Sequence, residues 1–337
     1  MKSSIRVLSD KKISYLPGET VSIDLPRDKW IQKIMGRLVV NYDTGGAGSV
    51  AEDGVLNLIK QMKITADGDD ARFGMALKRL RPTNCLDMGA PFELLDVTDI
   101  NAAGKTAVAT FEIAFKHYPR VDDDVSALLP AKYFGSLQYS VTFPPETVGV
   151  ALEVGADQTI NTAVLTLTLK EYELSASEEN QLYGRMTTSN PIRFERNLAI
   201  YRNEETKTID GAYADYGFSV ELPPGCFLLR SLIFANDAGA RSDSIVTGIK
   251  LRDAQELKDL KSEDWEALQA RDKQEYGLAL PLEAASNRTL VGFGSFDYKE
   301  IQGVDMRGRK KGDVVLGFTT TTPTPISNLI MIHEKVA

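Results

Sequence analysis

Apolar and polar residues alternate with period two along most of this chain. In Thr162–Leu174, TAVLTLTLKEYEL, Leu165, Leu167 and Leu169 fall on one face and threonines on the other. Ser136–Phe143, SLQYSVTF, does the same with Leu137, Tyr139, Val141 and Phe143, and Lys105–Phe115, KTAVATFEIAF, behaves likewise. Such alternation predicts half-buried strands in antiparallel sheets. Pro, Gly, Asn and Asp clusters punctuate the runs, as at Thr44–Gly48 and Thr322–Pro325. Many short strands with regular breaks predict sandwiches or barrels. Two segments read as helices. One is Asp253–Gly277, with Ser262 capping its second half, Glu263 and Asp264 in the first turn, and Trp265 and Leu268 on the inner face. The other is the shorter Asp67–Leu80.

The strand text recurs. Val21–Pro26, VSIDLP, matches Phe218–Pro223, FSVELP, at an offset of 197 residues. At the same offset Trp30–Ile31 falls on Phe227–Leu228, and Lys33 on Arg230. Leu58–Ile64 matches Ile245–Leu251 at an offset of 187, as does Ile5–Val7 with Ile192–Phe194. The closing strands, from Leu137 and Leu329, lie 192 apart. Each Lys-bearing strand then runs into one of the two helices. The matches keep their order along the chain, which points to a tandem duplication. Proline after Leu25 and Leu222 has a physical reason: without a ladder donor it ends a strand and turns the chain. The division falls at the polar stretch Ser175–Pro191, giving a first sandwich over 1–174, a linker over 175–191 and a second sandwich over 192–337.

Length and composition fit this reading. A chain of 337 residues, 43% hydrophobic and 26% charged, has room for two medium domains whose cores need no staples. A net charge of −8 argues against a general nucleic-acid binder, which needs a basic footprint. No secretory signal is visible at the amino terminus, and no window approaches the roughly 18 consecutive apolar residues of a membrane span. These features predict a soluble protein made in the cytoplasm.

No catalytic, cofactor or metal constellation emerges. Cys85 and Cys226 lack the spacing of a metal site or redox pair. His117 and His333 stand at strand ends in different halves, without partners at metal spacing, and read as surface histidines. Asp122–Asp124 and Asp67–Asp70 do not fit a calcium loop and read as solvated turns. Gly45–Ser49 lacks the Lys-Ser/Thr of a phosphate loop, and Gly292–Phe296 has its serine misplaced for a nucleophile elbow. Asn287–Thr289 is a glycosylation sequon without a secretory context. Trp30 leads a strand and Trp265 sits on a helix face, so both have structural explanations.

Two tandem eight-stranded sandwiches, each with a helix after an early strand, resemble the double jelly-roll major capsid proteins of tailless icosahedral viruses. Pro119–Phe143, PRVDDDVSALLPAKYFGSLQYSVTF, adds to the likeness: an acidic turn and a short Leu-Leu-Pro helical segment precede the closing strand, and this segment is similar to those in capsid proteins of membrane-containing prokaryotic viruses. The resemblance implies an all-β double jelly roll with a few short helices in inter-strand insertions. It implies a non-enzymatic virion subunit that forms homotrimers whose six sandwiches tile a pseudo-hexagonal lattice. Penton and minor capsid proteins, and an internal membrane beneath the shell, are the implied partners. The amino-terminal Lys2, Arg6, Lys11 and Lys12 then either face that interior or are plain surface cations; the second reading is preferred. The alternative to a capsid role is a glycan-binding β-sandwich, a lectin or virus fibre, which calls for exposed aromatics on loops. A carbohydrate enzyme on the same fold calls for a cleft with two carboxylates.

Overall fold

Period-two text becomes strand throughout the computed structural model of the chain, which describes residues 2–44, 49–50, 53–88, 94–95, 105–115, 128–145, 153–154, 158–183, 201–275, 290–298, 301, 303–324 and 327–336. The described elements fall into two compact units, one within Met1–Ile200 and one within Tyr201–Ala337. The first holds β1 (Lys2–Val7), β2 (Ile13–Ser14), β3 (Thr20–Asp24), β4 (Trp30–Thr44), β5 (Ser49–Val50), β6 (Gln61–Ala66), β7 (Asp70–Met75), α1 (Leu77–Met88), β8 (Leu94–Leu95), β9 (Lys105–Ala114), β10 (Leu137–Thr142), β11 (Glu153–Val154), β12 (Gln158–Glu173) and α2 (Ala176–Tyr183). The second holds β13 (Tyr201–Thr208), β14 (Tyr213–Glu221), β15 (Phe227–Asp237), β16 (Ala240–Arg241), β17 (Val246–Asp253), β18 (Lys258–Asp264), α3 (Trp265–Glu275), β19 (Phe293–Asp297), β20 (Val304–Asp305), β21 (Val314–Thr320) and β22 (Asn328–Val336).

In the first unit β1, β12, β4 and β9 lie side by side in that order, and β3, β10, β6 and β7 make a second antiparallel array. In the second unit the arrays are β13, β22, β15, β19 and β14, β21, β17, β18. Numbering the eight principal strands of each unit in chain order gives arrays 1-8-3-6 and 2-7-4-5 in both. In each roll the last strand lies between the first and the third, which is the connectivity of a jelly roll. Both units are therefore jelly rolls with the same winding, and the fold is a tandem double jelly roll.

The alternating text dictates the interior of each roll. Leu165, Leu167 and Leu169 of β12 and Leu137, Tyr139 and Val141 of β10 are buried, while their neighbours are not. In the second unit Phe218, Val220, Ile249, Leu251, Leu316, Phe318, Leu329 and Met331 join one core with Trp265 and Leu268 of α3. The VSIDLP and FSVELP matches form β3 and β14, the second strand of each roll, with Leu25 and Leu222 buried just beyond the strand and before the turning proline. Trp30 and Phe227 open β4 and β15, the third strands.

Several expectations need correction. Asp67–Leu80 is not one helix: Asp67 and Gly68 take positive φ in a turn, β7 follows, and the helix is Leu77–Met88. Asp253–Gly277 likewise contains β18, with Ser262 opposite Lys250 in the ladder, and the helix begins at Trp265, so Ser262 caps nothing. In both rolls a strand thus stands between the Lys-bearing strand and the helix. The linker is not wholly irregular, because Ala176–Tyr183 is helical; the rest of that stretch, 184–191, lies outside the described residues. The closing strands were also mismatched. By sheet position β10 corresponds to β21, and β22 to β12, while β13 (Tyr201–Thr208) takes the position of β1; Ile192–Phe194 lies outside the described residues.

One glycine has a packing role. Gly36 of β4 sits opposite Phe111 of β9, whose ring lies over it where any side chain would stand. Phe111 is buried and has no room to yield. Gly36→Ala is expected to lower stability by about 1–3 kcal/mol through overpacking, read as a lower urea midpoint. An unchanged midpoint would mean the ring does not occupy that space.

Candidate functional site

Three polar constellations stand out among the described residues, and each is built by strand register. The first seats the edge strand β1. Arg6 reaches Asp28 through Nη2 at 2.5 Å and Glu171 Oε2 through Nε at 3.0 Å. Lys29 Nζ donates to Ser4 Oγ at 2.9 Å. Glu171 is buried in β12, and that burial raises its carboxyl pKa against the opposing pull of Arg6. Burial of a carboxylate is tolerable only beside such a partner.

A second constellation holds the linker helix. Ser175 and Glu178 form a reciprocal capping box: Ser175 N–H donates to Glu178 Oε2 at 2.9 Å, and Glu178 N–H donates to Ser175 Oγ at 3.3 Å. Glu179 then accepts from Trp30 Nε1 at 3.1 Å, from Tyr133 hydroxyl at 3.0 Å and from Lys132. Burial opposes the charge of Glu179, yet these donors outweigh it and hold the carboxyl below its usual range. Trp30 and Tyr133 also meet edge to face at 5.6 Å. Glu179→Ala should cost about 1–2 kcal/mol and speed amide exchange over 176–183. Hydrogen exchange there at the wild-type rate would show that Glu179 does not anchor the helix.

The third lies in the second roll, on two faces of β22. On the interior face Ser231 Oγ lies 2.7 Å from His333 Nδ1 and 2.6 Å from Tyr298 hydroxyl. His333 is therefore not a surface residue: it is 5% exposed, and burial, with a smaller push from Lys335, lowers its pKa to about 4. On the opposite face Glu334 Oε1 accepts from Arg202 Nε at 2.7 Å and from Arg230 Nη2 at 2.8 Å, with all three side chains buried. That face also carries Leu232, Phe234, Ile330 and Ile332, all buried.

The remaining sequence candidates resolve simply. Asp67 Oδ1 accepts backbone N–H groups from Gly135 and Ser136, and Asp70 pairs with Arg72, so the acidic turn is committed to protein partners. Among the described residues no cluster of His, Cys, Asp and Glu is arranged to hold a metal. Cys85 and Cys226 are buried thiols. Burial raises the Cys226 pKa, and its thiol donates to Pro223 O at 3.3 Å. Ser295 of the Gly292–Phe296 stretch is buried inside β19. Lys11 donates to Asp24 O at 2.7 Å. His117, Asp122–Asp124, Gly45–Gly48 and Asn287–Thr289 lie outside the described residues.

One open groove, about 630 Å³, lies between Asp215, Tyr216, Lys250, Arg252, Leu257, Lys258 and Asp259. Several of its groups pair with one another: Lys250 pairs with Asp215, Tyr216 hydroxyl donates to Asp259 at 2.8 Å, and Arg252 lies 4.8 Å from the Tyr216 ring. The ring also lies over Gly317, where any side chain would stand. No helix among the described residues is long and apolar enough to cross a membrane.

No family model and no curated protein matches the sequence. Solved structures do match in fold. The major capsid protein of Sulfolobus turreted icosahedral virus aligns with a TM-score of 0.77 at 14% identity, over 99% of this chain and 96% of that one. The major capsid protein of bacteriophage PM2 aligns at 0.58 and 12% identity, over 99% and 97%. The Faustovirus major capsid protein aligns at 0.54 and 8% identity, over 100% and 90%. From one end to the other, the chain shares the double jelly-roll fold of these viral capsid proteins.

Proposed function

We propose that this chain is a major capsid protein: a non-enzymatic building block that binds copies of itself to form an icosahedral shell. The observation that carries this reading is the repetition of one strand order, 1-8-3-6 and 2-7-4-5, in two consecutive rolls. Its counterpart is the near end-to-end alignment with capsid subunits. A subunit made of two like lobes suits a threefold ring, because three copies then present six similar lobes and tile a hexagonal lattice. The homotrimer is accordingly the proposed capsomer, with penton and minor capsid proteins as further partners in the virion. The committed acids, buried histidine and self-paired groove fit a protein whose work is done by binding energy between copies.

Size-exclusion chromatography with light scattering tests the proposal. The expected mass is three times the 37.1 kDa of the chain, with sheets or shells forming on concentration. A protein that stays at 37.1 kDa at every concentration would refute it.

A further inference from the structure

We infer that the outward face of the first roll, along its β1 edge, is an interface for a second copy of this chain; the inference rests on the capsid reading above. Cross-strand register defines that face. Ile5 stands opposite Lys170, and Lys170 opposite Lys33; in the next row Val7 stands opposite Thr168, and Thr168 opposite Met35. Residues directly opposite in antiparallel strands share a face, so these two rows form one surface. On it Ile5 is 71% exposed and Val7 55% exposed.

Fraying does not account for these exposures. The other side of β1 is pinned by Arg6 to Asp28 and Glu171, and by Ser4 to Lys29. A rigid edge strand with bare aliphatic side chains and no strand on its free side among the described residues is a surface built to be covered. Elsewhere the chain protects such an edge: β18, at the end of its sheet, carries Lys258, Asp259, Lys261, Glu263 and Asp264.

Two observations identify the occupant as another copy. The first is the sister roll. On its equivalent sheet, β13, β22, β15 and β19, the same outward face carries Leu232, Phe234, Ile330 and Ile332, all closed to solvent. Two rolls of one winding thus treat one face differently: buried in the second, exposed along the β1 edge in the first. In a ring of identical chains the open version is where the next copy goes. The second is charge. The whole chain carries −8, whereas the rows beside Ile5 and Val7 carry Lys170, Lys33 and, next along β4, Arg37; Glu112 pairs with Lys33 at 2.6 Å, so the excess positive charge comes from Lys170 and Arg37. A locally basic, apolar strip on an acidic molecule is complementary to another copy of that molecule.

Sedimentation equilibrium on the full-length wild type and on the double variant Ile5→Asp/Val7→Asp is the test. Hydrogen exchange over residues 3–7 of the wild type in the assembled and diluted states accompanies it, and needs no variant to fold. The expected results are at least a tenfold weakening of self-association in the double variant, a smaller weakening in Ile5→Ser/Val7→Ser, and slower exchange of β1 in the oligomer. An oligomer whose association constant is unaffected by both variants, with equal β1 exchange in the two states, overturns this interface and leaves the capsid reading standing. A wild type that never associates overturns the capsid reading itself. Protection of β1 by anionic phosphatidylglycerol vesicles, without protection on self-association, overturns the copy as occupant.

Discussion

Glu334→Gln is expected to destabilise the second roll by about 3–5 kcal/mol, enough to remove much of the margin of an ordinary domain. Glu334 is fully buried and its Oε1 receives both Arg202 and Arg230, which are themselves buried. The three belong to adjacent strands, β13, β22 and β15, and meet because Arg202 is opposite Glu334 and Glu334 opposite Arg230 in the ladder. Neutralising the carboxylate takes from two buried guanidiniums the charge they share at Glu334 Oε1, and much of the cost is that of weakened compensation in a dry place rather than of a lost attraction. The triple variant Arg202→Met/Glu334→Leu/Arg230→Met removes all three charges together and should fall within about 1–2 kcal/mol of wild type. Urea unfolding of both variants checks the argument. A single variant as stable as wild type, or a triple variant as damaged as the single, would show that the cluster is not held by mutual neutralisation.

Asp272→Asn is expected to stabilise the protein above neutrality and to change little near pH 4. Asp272 lies on the buried side of α3, and burial pushes its carboxyl up to about 7 despite the Ser295 N–H that donates to it at 2.6 Å and the nearby Arg271. In the unfolded chain the same group titrates near 3.8. Between those values the folded state holds the proton and the unfolded state does not, so stability falls as pH rises from about 4 to about 7 and stays low above. The difference sets an upper bound on the order of 4 kcal/mol at pH 8. His333 acts in the opposite sense. Its lowered pKa means stability is lost as pH falls from about 6.5 towards 4. Unfolding midpoints at pH 5 and pH 8 for wild type and Asp272→Asn separate the two. A wild type–variant difference that is the same at both pH values would mean Asp272 is not protonated in the folded state.

Much of this architecture was legible because packing repeats every second residue. β10 and β12 announce themselves by their buried leucines, and the turn prolines after Leu25 and Leu222 fix the second strand of each roll. β18 was not legible. KDLKSED contains good helix formers and little alternation, and it is a strand because β17 offers it a ladder from Gly248 to Asp253. β7 was hidden similarly, in text that continues into α1. The helix Ala176–Tyr183 did have a signal, the Ser-Ala-Ser-Glu capping box, set in a stretch whose polarity read as linker. His333 reads as a surface residue when only its strand-end position and lack of metal-spaced partners are weighed. The unbroken apolar run Leu329–Ile332 just before it marks a strand buried on both faces, which puts its successors His333 and Glu334 inside as well. Neither the Glu334 cluster nor the Arg6 clamp is local in sequence, so only the ladder registers bring their members together.

Electron microscopy of the purified protein at the concentration where it associates puts the most direct question to this account. Two-dimensional class averages should show three copies around a threefold axis, with six lobes of nearly equal size making a hexagonal outline. Particles with a single pair of lobes, or rings whose subunits do not close at three, would contradict it.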